Sequence, residues 1–228
     1  MTILYSNGCS FTANYNVPRR KRYPLLIGKH FNWQVVDRAI PGSCNSKIIR
    51  CAIRDCIDLL KHNEPIVALI QLTFKERFEY AGTPNGTNNW KYGEVNNGIH
   101  YIQASDQFES LKPADHENWP DEVIQYAKLY TVLQKSDAVN AELFSRLVGL
   151  VSFFKSNNIR YLIYAGPSDF KNKLNVDDPF YQYLTNDPNV LNFLNFDMLS
   201  LTGNQNHPTT DGMQVIADYF INLLAAQE

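Results

Sequence analysis

A chain of 228 residues and 26.2 kDa has room for one large or two small domains, and its length favours one. Its 21 basic and 23 acidic residues leave a formal net charge of −2, and 44% of its residues are hydrophobic and 13% aromatic. Such a balance excludes a basic nucleic-acid-binding arm and general disorder, and no run approaches the roughly 20 apolar residues of a transmembrane helix.

The opening MTILYSNGCS has neither a basic segment nor a long apolar run, so a secretory signal is not expected. Cys9, Cys44, Cys51 and Cys56 show no paired CxxC spacing, and reduced thiols in a cytoplasmic protein are the economical reading. Thr2 to Ser6 reads as a first strand ending at Asn7-Gly8. The run Arg19-Arg20-Lys21-Arg22 leads into a helix near Leu25; without a helical face or repeated aromatics it reads as a solvated patch. A second strand runs near Gln34 to Ile40 and stops at Pro41-Gly42. Ile49, Ala52, Ile53, Cys56, Leu59 and Leu60 then recur at helical spacing, with Asn45 or Ser46 as the expected N-cap. On that stripe Cys51 and Cys56 read as core thiols. The third strand, Ile66 to Thr73, is nearly all apolar, as a strand covered on both faces should be.

From about Phe74 to Pro120 the periodicity fails, and Asn-Gly steps at 85–86 and 97–98 signal turns or hairpins. This stretch is expected to be a locally ordered insertion. Trp90, Tyr92, Tyr101 and Trp119 within it suit a ligand-binding wall or a small core of its own. Helical patterns resume at Tyr126, Leu129, Tyr130 and Leu133, and again at Phe144, Leu147, Val148, Val151 and Phe154. Ile159 to Ala165 is a fourth strand ended by Gly166-Pro167. The last helix carries Met213, Ile216, Ala217, Phe220, Leu223 and Leu224 on one face, with Thr209 as its N-cap and Asp211 complementing its dipole.

Alternating strands and helices predict an α/β sheet of parallel strands, in which ligands gather beyond the carboxyl ends. Those ends carry Gly8-Cys9-Ser10, Pro41-Gly42-Ser43, Thr73 and Gly166-Pro167, and the loop before the last helix adds His207-Pro208. A Gly-x-Ser after a strand is commonly an ordinary turn, and a lone histidine is commonly a surface group. Together, Ser10 and His207 supply a nucleophile and a base, the minimum for acyl transfer. His30, His62, His100 and His116 form no metal-ligand pattern.

The combination resembles the SGNH (GDSL-like) hydrolase superfamily, from the first strand to the last helix. Asn7-Gly8-Cys9-Ser10-Phe11-Thr12 resembles the nucleophile block, with Ser10 as the serine. Ala39-Ile40-Pro41-Gly42-Ser43-Cys44-Asn45 resembles the second block, whose glycine N–H donates to the oxyanion. Gln71-Leu72-Thr73 lies where the family has Gly-x-Asn, and His207-Pro208-Thr209-Thr210-Asp211-Gly212 resembles the histidine segment. The resemblance implies a single domain, 1–228, with a flavodoxin-like three-layer sandwich and the insertion at about 74–120.

Three departures stand out. Cys9 replaces the usual Asp beside the nucleophile, Thr73 replaces the oxyanion Asn, and Asn204 occupies the position of the triad Asp. An Asn accepts a hydrogen bond from imidazole but cannot stabilise imidazolium with charge. Asp211, Asp197 and Asp169 are the other carboxylates weighed for that place.

The resemblance implies hydrolysis of a small acyl ester, O-acetyl or similar, on a small molecule, carbohydrate or peptide. Ser10, His207 and Asn204 would form the catalytic set, and Ser10, Gly42 and Thr73 the oxyanion donors. Asn45, Arg77 and Glu79 are candidate substrate contacts, although an Arg77–Glu79 ion pair anchoring the insertion is the plainer reading. No metal or organic cofactor is called for, and neither a nucleic-acid nor a membrane partner is expected. An acyltransferase on the same site and a silent glycan- or peptide-binding module are the rival readings.

Overall fold

The fold is described from a computed structural model for residues 1–14, 16–74, 77–81, 99–103, 125, 129, 137–166, 176–191, 198 and 207–227. Four strands, β1 (Ile3–Asn7), β2 (Gln34–Asp37), β3 (Ile66–Leu72) and β6 (Arg160–Ala165), form a parallel sheet in the order β2-β1-β3-β6. β4 (Arg77–Ala81) and β5 (Ile99–Gln103) make a separate antiparallel pair. Beyond β6 the ladder shrinks to one parallel bridge, Ile163 to Val190. It is flanked by hydrogen bonds from Leu191 N to Ile163 O and from Ile163 N to Asn189 O (2.8 and 2.9 Å).

Strand alternation sends successive side chains to opposite faces, and both faces are covered. Leu4, Val67, Leu69 and Leu162 pack beneath α1 (Tyr23–Phe31) and α5 (Thr210–Ala225), against Ile27, Ile216 and Phe220. On the other face Ala68, Ile70 and Ile163 meet α2 (Asn45–Leu60), α3 (Asp137–Ser156) and α4 (Pro179–Thr185) through Ile48, Ala52, Phe144, Leu147 and Tyr181. Cys56 belongs to this second core, and burial pushes its thiol up to about 12, whereas Cys51 is only half-buried.

Three of the helices end the same way. Asn32, Asn63 and Asn158 take left-handed backbone conformations (φ 56, 56 and 54°) just after α1, α2 and α3. Asparagine tolerates this region better than other side chains do, and it turns each helix back towards the next strand.

Several boundaries differ from the sequence reading. β1 runs one residue later than expected because Asn7 still pairs with Ile70 in β3. β2 stops at Asp37, whose Oδ1 accepts from Ala39 N at 3.2 Å and turns the chain. Residues beyond it stay beside β1 through Arg38 N to Ser6 O and Ile40 N to Gly8 O (2.8 and 3.1 Å). α2 is capped by Cys44, not by Asn45 or Ser46: its Sγ accepts from Lys47 N at 3.5 Å. Arg19–Lys21 forms an exposed 3-10 turn before α1. No helix among the described residues is long and apolar enough to cross a membrane.

Candidate active site

The order β2-β1-β3 sends the chain one way after β1 and the other way after β3, and the crevice between their carboxyl ends is where such sheets bind ligands. The turn after β1 is wound on Cys9, whose carbonyl accepts from Thr12 N and Ala13 N at 3.0 and 2.9 Å. Ser10 sits at its head, half-exposed. Gln71, a fully buried polar residue in an otherwise apolar β3, holds this turn from below. Its Oε1 accepts from Cys9 N at 2.9 Å and from Thr12 Oγ1 at 3.1 Å, and its Nε2 donates to Leu72 O. A Cβ on Gly8 would lie 2.6 Å from Gln71 Oε1, and one on Gly166 would lie 2.3 Å from Gln71 Nε2. Both glycines are therefore required by this side chain.

Because Thr12 donates to Gln71, its oxygen must accept from Tyr23 OH at 2.7 Å, and Tyr23 OH in turn accepts from Tyr164 OH at 2.6 Å. Burial holds both phenols well above their ordinary range, so they act as neutral donors. On the opposite face Asn7 Oδ1 accepts from Gly8 N at 2.8 Å, and its Nδ2 donates to Tyr5 OH at 3.0 Å and Ile48 O at 3.3 Å. Tyr5 OH then donates to Asp55 at 3.2 Å.

His207, 197 residues from Ser10 in the chain, brings its Nε2 to 2.6 Å from Ser10 Oγ. If Nε2 accepts the hydroxyl proton, the ring proton resides on Nδ1. The imidazole stacks on Phe11, ring centroids 4.8 Å apart and planes 16° from parallel. Asn14, buried, donates from Nδ2 to Pro208 O at 2.9 Å and so ties the Ser10 loop to the His207 loop. Thr209 caps α5 by accepting from Gly212 N at 3.2 Å, with exposed Asp211 in the first turn.

Ile40–Ser43 forms a turn closed by Ser43 N to Ile40 O at 3.2 Å, with Pro41 second and Gly42 third at φ 80°. This is a type II arrangement, and its third position demands glycine. Among the described residues, neither Ser10 N–H nor Gly42 N–H makes a hydrogen bond. Thr73, fully buried, is clamped by Asn45: Asn45 Nδ2 donates to Thr73 O at 3.0 Å, and Asn45 Oδ1 accepts from Thr73 N at 2.8 Å.

No family model and no curated protein matches the sequence. Solved structures do match over its whole length. The psychrotrophic esterase EstA from Pseudoalteromonas sp. superposes with a TM-score of 0.52 at 15% identity, over 99% of this chain and 97% of that one. The chain has the SGNH-hydrolase fold. Other matches are a member of the lipolytic G-D-S-L family from Veillonella parvula DSM 2008 (TM-score 0.47, 11% identity, 98% of this chain and 97% of that) and the SGNH-hydrolase family esterase AlinE4 (0.44, 16%, 99% and 95%).

Within the SGNH fold, Ser10, Gly42, Thr73 and His207 all lie at the carboxyl edge of the sheet. Asn45 is 4% exposed, and its amide is engaged with the Thr73 backbone. It therefore positions a loop and does not face a substrate. Arg77 and Glu79 lie on β4, opposite Gln103 and Tyr101. Asn204, Asp169, Asp197, Trp90, Tyr92, Trp119 and both Asn-Gly steps lie outside the described residues.

Sequence reasoning missed Gln71, Asn14 and the role of Phe11. A glutamine inside an apolar strand was a visible signal for the first. The other two depend on contacts across nearly the whole chain.

Proposed function

We propose that this protein is a serine-dependent ester hydrolase that works through an acyl-enzyme. The observation that carries the reading is the 2.6 Å contact between Ser10 Oγ and His207 Nε2, made by segments from opposite ends of the chain. Ser10 Oγ attacks the ester carbonyl while its proton passes to His207 Nε2. The carbonyl oxygen, now negative, is met by the Ser10 and Gly42 N–H groups, each such donor being worth about 10²–10³ in kcat; Thr73, expected from the sequence as a third donor, is fully buried and is not counted among them. Collapse of the tetrahedral intermediate breaks the bond to the alcohol, which leaves with the proton from His207. Water, deprotonated by the same imidazole, then attacks the acyl-enzyme and frees Ser10. Small acyl esters are the substrate class, on a metabolite, carbohydrate or peptide. EstA, which shares the fold, is an esterase inhibited by monoethylphosphonate, and that accords with a nucleophilic serine here.

Hydrolysis of p-nitrophenyl acetate tests the reading. Ser10→Ala and His207→Ala are each expected to lower kcat by roughly 10²-fold, what remains of a triad's contribution of about 2 × 10⁶ once an Asn in place of the Asp has cost about 10⁴. Wild-type turnover retained in Ser10→Ala would refute it. Asn204 in the position of the triad Asp favours a slow or silent site. Asn204→Asp should raise the rate by up to about 10⁴-fold, the cost of the reverse change in a serine protease; an unchanged rate places the orienting group elsewhere.

A further inference from the structure

Neighbouring residues of a strand turn their backbone N–H and C=O groups to opposite sides. At the end of β3, Leu72 O accepts from Gly166 N at 2.8 Å and so faces β6, which turns the N–H and C=O of Thr73 towards β1. β1 has already ended at Asn7, paired with Ile70, and the chain beyond it winds into the Ser10 turn. Where the two strands part, the carboxamide of Asn45 meets both Thr73 groups, at 3.0 and 2.8 Å, as a strand residue would. Cys44 Sγ caps α2, which leaves the Asn45 side chain to make this pair.

Asn45 lies three places after Gly42. The turn that carries Gly42 is tied to the Ser10 loop at its start, by Ile40 N to Gly8 O at 3.1 Å, and to β3 just beyond its end, by the two Asn45 bonds. We propose that Asn45 is a positioning residue that holds the Gly42 N–H in place beside the Ser10 N–H by bridging the end of β3 to the start of α2. The proposal rests on the reading of those two N–H groups as donors to the oxyanion, and adds what spaces them. Such donors act only when aimed at the point where charge develops, so a turn that drifts loses rate and not substrate affinity. A misplacement of about 1 Å can cost about 10²-fold. Asn45 is buried with its carboxamide engaged, so its effect passes through the backbone.

The test is backbone NMR relaxation of the Gly42 amide in the full chain. Its signal is identified by its loss in Gly42→Asn, because asparagine tolerates the left-handed conformation found there. In Asn45→Ala the Gly42 order parameter should fall from about 0.85, typical of rigid backbone, to below about 0.6. Asn45→Asp keeps an oxygen for Thr73 N–H and loses the donor to Thr73 O; it should give an intermediate value, and it serves if Asn45→Ala does not fold. Asp187→Asn, which loses a bond to Tyr161 near the amino end of β6, controls for general loosening and should leave Gly42 rigid. In turnover of p-nitrophenyl acetate, Asn45→Asp should lower kcat about 10-fold with little change in KM, a part of what an oxyanion donor is worth. An Asn45 that only stabilises the fold would lower melting temperature and leave the Gly42 amide as it is in the wild type. A Gly42 that stays rigid in folded Asn45→Asp, or that loosens with kcat unchanged, overturns the proposal. A loosened Gly42 in a protein whose wild type hydrolyses no ester supports the clamp and removes only the esterase reading.

Discussion

Two polar networks lie beneath the Ser10 turn, one on each face of the sheet, and they differ in charge and in exposure. Under α1 and α5, Tyr164, Tyr23, Thr12 and Gln71 form a chain without a formal charge, and every member is completely buried. Under α2, Asn7 and Tyr5 lead to Asp55, which meets the half-exposed guanidinium of Arg54 at 2.8 Å and lies 3.6 Å from Arg38. The described members of the first network are all buried, so removing one strands its neighbour in a dry interior. The second terminates in groups that solvent can reach. The uncharged network holds the backbone of the Ser10 turn itself, and the charged one fixes where β1 ends.

The contrast makes graded predictions. Gln71→Leu takes the acceptor from both Cys9 N–H and Thr12 Oγ1, and a loss of roughly 3–5 kcal/mol in urea unfolding is expected from two stranded donors. A loss under about 1 kcal/mol would mean that the uncharged network does not hold the turn. Tyr23→Phe, which breaks the uncharged chain between Thr12 and Tyr164, should cost about 1–3 kcal/mol, more than Tyr5→Phe at about 1 kcal/mol. Equal losses would erase the distinction between the two faces.

The smallest effect concerns a charged pair away from both networks. Burial acts to raise the Asp187 pKa, but hydrogen bonds from Lys155, Tyr161 OH and Asn189 N–H outweigh it and hold the carboxyl below its usual range. A depressed folded pKa contributes stability above the unfolded value of about 3.9, and that contribution is lost as pH falls through the folded value. Melting temperature should therefore fall below about pH 4, and Asp187→Asn should flatten part of that fall. A wild-type acid limb identical to that of the variant would show that the pair contributes nothing.

Where local pattern decided structure, the sequence was a reliable guide. The apolar run of β3, the stripe of α5 and the Thr209 cap all follow from periodicity and hydrogen-bonding chemistry within a few residues. Ser10, Gly42 and His207 were legible because each sits at a strand end or helix entrance with an identifying neighbour. The groups that support them were less so. Gln71 looked like one member of a weak third block, and Asn45 looked like a cap, because sulfur was not the expected acceptor at Cys44. Asn14 and Phe11 act across 194 and 196 residues of chain, and no local pattern encodes which loop will fold against them. Their roles are tertiary, and only the closed sheet displays them.

The account depends on Ser10 being an activated nucleophile. Intact-mass and peptide mass spectrometry after exposure to a fluorophosphonate measures this directly. The predicted result is one adduct per chain, on Ser10, absent in Ser10→Ala and formed far more slowly in His207→Ala. Folded wild-type protein that never reacts, or that carries the adduct on Cys9, would contradict it.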